Sequence, residues 1–105
     1  MAIPDYTKTE LNISFEKLNE LPDDLHLYTN LQELDCRNNH LTQLDNLPQS
    51  LIELDCSYNK LIQLDNLPQS LKELDCNENP LEYYFNPTLA NIRKHNATSQ
   101  IATSK

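Results

Sequence analysis

Two consecutive stretches of twenty residues, LQELDCRNNHLTQLDNLPQS (31–50) and LIELDCSYNKLIQLDNLPQS (51–70), are near copies of each other. A third, LKELDCNENPLEYYFNPTLA, begins at Leu71 and leaves the pattern at Tyr83. A looser unit precedes them. Leu11, Ile13, Leu18 and Leu21 align with Leu34, Cys36, Leu41 and Leu44 at an offset of 23, with Glu16 where the later units have Asn39, Asn59 and Asn79. A unit this short cannot bury its apolar face alone, so successive units must stack into one continuous core. Twenty residues also leave no room for an α-helix opposite the strand, since a helix would take about ten residues plus its loops.

Each unit carries a nested ten-residue rhythm, because LQELDCRNNH and LTQLDNLPQS share L-x-x-L. Two inward sides follow, Leu31/Leu34/Cys36 and Leu41/Leu44/Leu47, facing one another across a thin core. The opposite, convex side is expected to be extended or 3₁₀-like, or to form a second short parallel ribbon. Pro48 and Pro68 favour extended geometry at Leu47 and Leu67.

The pattern L-x-x-L-x-C-x-x-N-x-L resembles the leucine-rich repeat family, whose signature is L-x-x-L-x-L-x-x-N/C-x-L. Leu31, Leu34, Cys36, Asn39 and Leu41 match it, as do Leu51, Leu54, Cys56, Asn59 and Leu61, and then Leu71, Leu74, Cys76, Asn79 and Leu81. The resemblance covers roughly residues 8 to 85. The wording LPQSLxELDCxxNxLxxLDN is similar to the short repeats of giant viruses of amoebae and to the LPX-type repeats of bacterial effector proteins. The fold class implied is an α/β-type, β-dominated, right-handed solenoid of short parallel strands. The resemblance further implies protein–protein contact through the concave strand face.

One domain is expected over 1–95: a cap at 1–7, repeats at 8–30, 31–50, 51–70 and 71–85, and a C-terminal cap at 86–95. Residues 96–105 read as a flexible tail. Ile3 and Tyr6 are the candidate N-terminal lid, because a solenoid must cover its end coils. At the other end Asn86 and Pro87 read as N-cap and first residue of a short helix to about His95, with Leu89 and Ile92 on its apolar side. Tyr83, Tyr84 and Phe85 read as part of this cap, with Tyr84 in the place of Leu44 and Leu64. The alternative for these aromatics is an exposed hot spot or dimer surface.

The tetrad Glu-Leu-Asp-Cys recurs at 33–36, 53–56 and 73–76, and along the chain it looks like a metal or redox site. A strand separates its members, because neighbours point to opposite faces. Cys36, Cys56 and Cys76 then form a buried column, where free cysteine behaves as a small apolar residue. A column of three thiols has neither the number nor the tetrahedral arrangement that zinc needs. Adjacent rungs have a Cα separation that a disulfide could span, but stacked parallel side chains do not converge. Asn39, Asn59 and Asn79 sit where the strand turns away, positioned to satisfy backbone groups of their own and the next coil. A polar recognition ladder is the competing reading of the same three residues.

The outward strand positions are Glu10, Asn12 and Ser14, then Glu33, Asp35 and Arg37, then Glu53, Asp55 and Ser57, then Glu73, Asp75 and Asn77. In register they make a Glu column and an Asn/Asp/Asp/Asp column, whose like charges repel across the ladder. The bland reading is a surface kept soluble and protected from edge pairing. The functional reading is a ribbon that binds a basic or polar segment of another protein. The candidate binding residues are Glu10, Asn12, Glu33, Asp35, Arg37, Glu53, Asp55, Ser57, Glu73, Asp75 and Asn77. A calcium site on these carboxylates fits less well, because hard-cation sites wrap oxygen ligands around the ion.

Sixteen acidic against eight basic residues give a formal charge of −8, which disfavours nucleic acid and anionic membranes as partners. The start, MAIPDYTKTE, has neither a basic nor an apolar signal region, so a cytoplasmic location with reduced thiols is the expectation. Glycine is absent, so asparagine is expected at left-handed turns. That absence also excludes phosphate-cradling glycine loops, and His26, His40 and His95 stand apart from any nucleophile in the repeat geometry. The sequons at Asn12 and Asn96 read as chance. The expectation is therefore a protein-interaction module with no cofactor, no metal and no catalysis, as a monomer or weak end-to-end oligomer. The rival readings are an assembly element associating through its ends, and the recognition fragment of an effector or adaptor.

Overall fold

The computed structural model describes residues 3–103, with side chains described through Thr98. Four three-residue strands, β1 (Glu10–Asn12), β2 (Glu33–Asp35), β3 (Glu53–Asp55) and β4 (Glu73–Asp75), lie side by side in chain order. All pairings are parallel, with Leu11, Leu34, Leu54 and Leu74 in one row. The repeat offsets of 23, 20 and 20 are therefore the physical rung-to-rung steps. Backbone bonding continues past each strand: Phe15 donates to the Arg37 carbonyl, Asn38 to Ser57 and Tyr58 to Asn77, at 3.2, 3.0 and 2.9 Å.

The core is the predicted one. Leu31, Leu34, Cys36, Leu41, Leu44 and Leu47 are all buried, as are Leu51, Leu54, Cys56, Leu61 and Leu64 of the next coil. A β-dominated repeat solenoid with a C-terminal helix is thus the fold. The convex side has no second ribbon among the described residues. Consecutive coils there share single backbone bonds, from His40 to Leu18, Lys60 to Leu41 and Glu82 to Ile62, each at 2.8 Å.

The segment Leu-Pro-Gln-Ser has a role that its repetition only hinted at. The Pro48 carbonyl accepts from Leu51 N–H, closing a turn into the next strand, and Pro68 does the same for Leu71. The Ser50 hydroxyl then donates at 2.6 Å to the carbonyl of Leu31, one turn back at the start of the same repeat, and Ser70 donates likewise to Leu51. In the longer first unit Tyr28 stands in the place of Pro48, accepting from Leu31 N–H. Its three additional residues are absorbed just before, in a 3₁₀ turn at Leu25–Leu27.

The asparagines bond in the opposite direction to the one expected. Asn59 accepts from Leu41 N–H (3.0 Å) and donates to the carbonyls of Cys36, Cys56 and Ser57 (3.1, 3.1 and 3.2 Å). It therefore ties its own coil to the preceding one, not the next. Asn39 and Asn79 repeat the pattern on the coils before them. This direction fits Glu16, because β1 is the edge strand of the described sheet and its coil has no preceding strand there to bond.

Without glycine, seven of the described residues adopt left-handed backbone. Asn38, Asn46 and Asn66 are the expected type, but Phe15, Lys17, Tyr58 and Glu78 are not. Phe15, Asn38, Tyr58 and Glu78 occupy one rung position, just before the buried asparagine or its equivalent. Bulky residues there carry roughly 1–2 kcal/mol of backbone strain each.

The ends need more correction. Ile3 is 85% exposed and covers nothing, whereas Tyr6 packs edge-on against Tyr28 and donates its hydroxyl proton to Asp24. Tyr84 is 96% exposed and does not replace Leu44 or Leu64; Tyr83 turns inward instead, accepting from Leu64 N–H at 2.8 Å and stacking on Phe85. The helix α1 runs Leu89–Thr103, so the described residues from Asn96 onward continue it where a tail was expected. Its first turn is capped by the Thr88 hydroxyl, which accepts from Asn91 N–H, and not by Asn86. Ile92 is fully buried against the last coil, as expected.

From α1, the Arg93 guanidinium donates to the carbonyls of Pro68, Gln69 and Leu71 (2.9, 3.2 and 2.8 Å). Ser50 and Ser70 would be followed by a serine at 90, where the chain has Ala90; Arg93 serves the Leu71 carbonyl in its stead.

The thiols of Cys36, Cys56 and Cys76 are free and buried. Burial pushes the Cys36 thiol up to about 12 from 9.0, and moves Cys56 and Cys76 in the same direction. The folded chain therefore keeps protons that the unfolded chain releases. This contribution to stability is fully present below pH 9 and is lost as pH rises from there toward 12. At about pH 11, Cys36 alone is expected to cost roughly 2–3 kcal/mol. Buried Tyr28 and half-buried Tyr83, also shifted upward, add to the trend at higher pH. Urea titrations from about pH 8 to pH 11 should show this loss, and a Cys36→Ala/Cys56→Ala variant should lose less. Equal pH dependence in both proteins would mean that the thiols are not enclosed.

Candidate functional site

The concave face gathers the outward residues of all four strands. Cα register places Glu10, Glu33, Glu53 and Glu73 in one column and Asn12, Asp35, Asp55 and Asp75 in the next. They line an open depression of about 930 Å³ on the strand face. At the strand spacing of ~4.8 Å, four rungs give a platform ~15 Å across. Within the Glu column Glu33 hydrogen-bonds with Glu10 and feels the charges of Glu10 and Glu53, which together raise its pKa above the usual carboxylate range. An added positive charge would relieve that crowding.

The Asp column has a structural task that the sequence did not disclose. One carboxylate oxygen of Asp35 accepts from Arg37 N–H (3.2 Å), one of Asp55 from Ser57 N–H (3.0 Å), and one of Asp75 from Asn77 N–H (3.1 Å). Asn12 does the same for Ser14 with its amide oxygen at 2.9 Å. Each rung thus ends in an Asx turn, which either an aspartate or an asparagine can form. Repetition of aspartate is explained in part by this local geometry, and only its second oxygen is left for other work.

Of the eleven sequence-predicted residues, Glu10, Asn12, Arg37, Glu73, Asp75 and Asn77 are exposed, and Glu33, Asp35, Glu53 and Asp55 are half-buried. Ser57 is a correction. It is only 4% exposed, and its hydroxyl donates to Asp55 at 2.6 Å, so it offers a partner nothing.

Two residues of the rim were missed. Phe15 and Tyr58 are 66% and 55% exposed, both at the left-handed position that follows the outward strand residues. The Arg37 guanidinium lies 5.9 Å from the centre of the Phe15 ring and 3.5 Å from the Asp35 carboxylate. A signal for the rim existed in the sequence. The two near-identical copies differ at five positions, and two of these are Arg37/Ser57 and Asn38/Tyr58.

Among the described residues, no group of three or more His, Cys, Asp or Glu side chains is placed to hold a metal ion. No helix of the described residues is long and apolar enough to cross a membrane. A family model described as Leucine Rich Repeat matches residues 30–51. No curated protein and no solved structure matches the chain.

Proposed function

We propose that the chain is a leucine-rich repeat protein, matched by that family's model over residues 30–51, and that it binds a basic segment of a partner protein along its concave carboxylate columns. The family points to protein–protein contact as the general task, without catalysis. The observation that carries the finer reading is the register of Glu10/Glu33/Glu53/Glu73 beside Asp35/Asp55/Asp75, where hydrogen bonding to Glu10 and then the charges of Glu10 and Glu53 raise the pKa of Glu33. A cationic segment laid across the strands relieves that repulsion along its whole length. The platform is small beside a standard interface, so charge steers the encounter more than it holds the complex.

Association through the ends has less support, because α1 and Arg93 already occupy the carbonyls of the last coil. The Asx turns make a clean test available. Asp35→Asn, Asp55→Asn and Asp75→Asn together remove three charges and keep every turn, as Asn12 does naturally. Against a lysine- and arginine-rich peptide, or a partner captured from extract, the triple variant should associate about tenfold more slowly at low salt. Wild-type binding should weaken steeply between about 50 and 300 mM salt. A partner indifferent to both would overturn the reading.

A further inference from the structure

Arg37 shows how this face takes up a cation. Its guanidinium lies between the Asp35 carboxylate (3.5 Å) and the Phe15 ring (5.9 Å), and the ring belongs to the rung before it. Three residues define the arrangement: a ring at the left-handed position of one rung, and on the next rung an Asx-turn aspartate and the residue two further on. The same three positions recur two rungs along. Tyr58 supplies the ring, Asp75 the aspartate, and Asn77 stands where the arginine stood. The backbone frame is the same in both places. Phe15 N–H bonds to the Arg37 carbonyl and Tyr58 N–H to the Asn77 carbonyl, Asp35 holds Arg37 N–H and Asp75 holds Asn77 N–H, and both rings sit on positive φ (56° and 56°). Between them, Asn38 and Ser57 provide neither ring nor cation, so the intermediate rung has no such notch.

We propose that the notch between Tyr58 and Asp75 is a binding site for an arginine side chain of the partner. This deepens the reading of the concave face as a surface for basic segments and rests on it. The chain fills its first notch with its own guanidinium and leaves the second to be filled from outside. A guanidinium is preferred over an ammonium because it is planar and weakly hydrated, and stacks on a ring while keeping its N–H groups for a carboxylate. Tyr58, Asp75 and Asn77 are all exposed, so entry requires no rearrangement. The notch supplies what the carboxylate columns lack, a fixed point that selects one side chain and sets the register of the segment lying across them.

The probe is a blocked tripeptide, acetyl-Ala-Arg-Ala amide, titrated into the full chain by NMR alongside its lysine and citrulline counterparts. The arginine peptide should shift the Tyr58 ring resonances saturably, the lysine peptide should bind about threefold more weakly, and the citrulline peptide should have no effect. Tyr58→Asn, which suits the left-handed backbone, should remove the response, and Tyr58→Phe should retain it. Asn77→Arg should fill the notch from within and abolish saturable binding. Arg37→Gln should open the first notch and add a second response at Phe15. If the arginine peptide binds the wild type and Asn77→Arg equally, shifting only the carboxylate columns, the notch is wrong while the basic-segment reading stands. If charged and neutral peptides both leave the columns and the ring unmoved, both readings fall.

Discussion

Asn59→Leu is expected to remove about 3–5 kcal/mol of stability, the largest effect of any single side chain in the array. The replacement keeps the volume and takes away four hydrogen bonds. Their partners are not equally exposed to the loss. The Cys36 carbonyl retains a bond from Asn39, and the Cys56 carbonyl retains one from Asn79. Leu41 N–H, buried beneath the turn, has no second partner among the described residues, and stranding it costs about 1–3 kcal/mol by itself. For a chain of this length the total is only about 5–15 kcal/mol. Urea unfolding should therefore show a large fall in midpoint at constant slope. Asn79→Leu should cost less, because Asn79 is only partly buried and bonds at the edge of the array. An unchanged midpoint for Asn59→Leu would mean that water replaces the amide and that the ladder is decorative.

Truncation after Phe85 is expected to destabilise the whole array. Removal of α1 uncovers Leu71 and Cys76, takes away the fully buried Ile92, and leaves the Pro68, Gln69 and Leu71 carbonyls without the Arg93 guanidinium. The truncated chain is expected to aggregate or to lose its cooperative transition. Two point variants divide the effect: Ile92→Ala should cost about 2–5 kcal/mol by leaving a cavity, and Arg93→Ala about 1–3 kcal/mol through partly buried carbonyls left unpaired. Cys76 reports on the lid directly, because its thiol lies against the Pro87 carbonyl at 3.5 Å. Its reaction with a thiol reagent should accelerate sharply in Ile92→Ala while Cys36 stays protected. A soluble, monomeric truncation with a sharp transition would show that the coils need no lid at this end.

The repeat period made the coils legible, because a twenty-residue spacing permits one stacking register and the strand pleat then sorts Leu34 and Cys36 from Glu33 and Asp35. What repetition does not encode is where a pattern stops. Tyr83 rather than Tyr84 turns inward, since its hydroxyl must meet Leu64 N–H, and the alignment with Leu44 and Leu64 pointed one residue too far. Arg93 replaces a serine by reaching across from a helix, a substitution with no signature in spacing. The outward columns followed from alternation, but their second duty did not. A carboxylate that closes an Asx turn and one that waits for a partner are the same letter in the sequence. Phe15 and Tyr58 were overlooked for a related reason: left-handed positions were assigned to asparagine, the residue that tolerates them best.

The backward reach of Asn39, Asn59 and Asn79 links each coil only to the one before it, and the serines of the Leu-Pro-Gln-Ser turns reach back by a single turn. Nothing in that bonding records how many coils there are. A further copy of residues 51–70, placed between Ser50 and Leu51, would meet the same carbonyls and donors at both of its faces, and neither lid would register the change. Array length is therefore a free parameter of this chain, adjustable in steps of ~4.8 Å, and with it the span of partner that the concave face can measure.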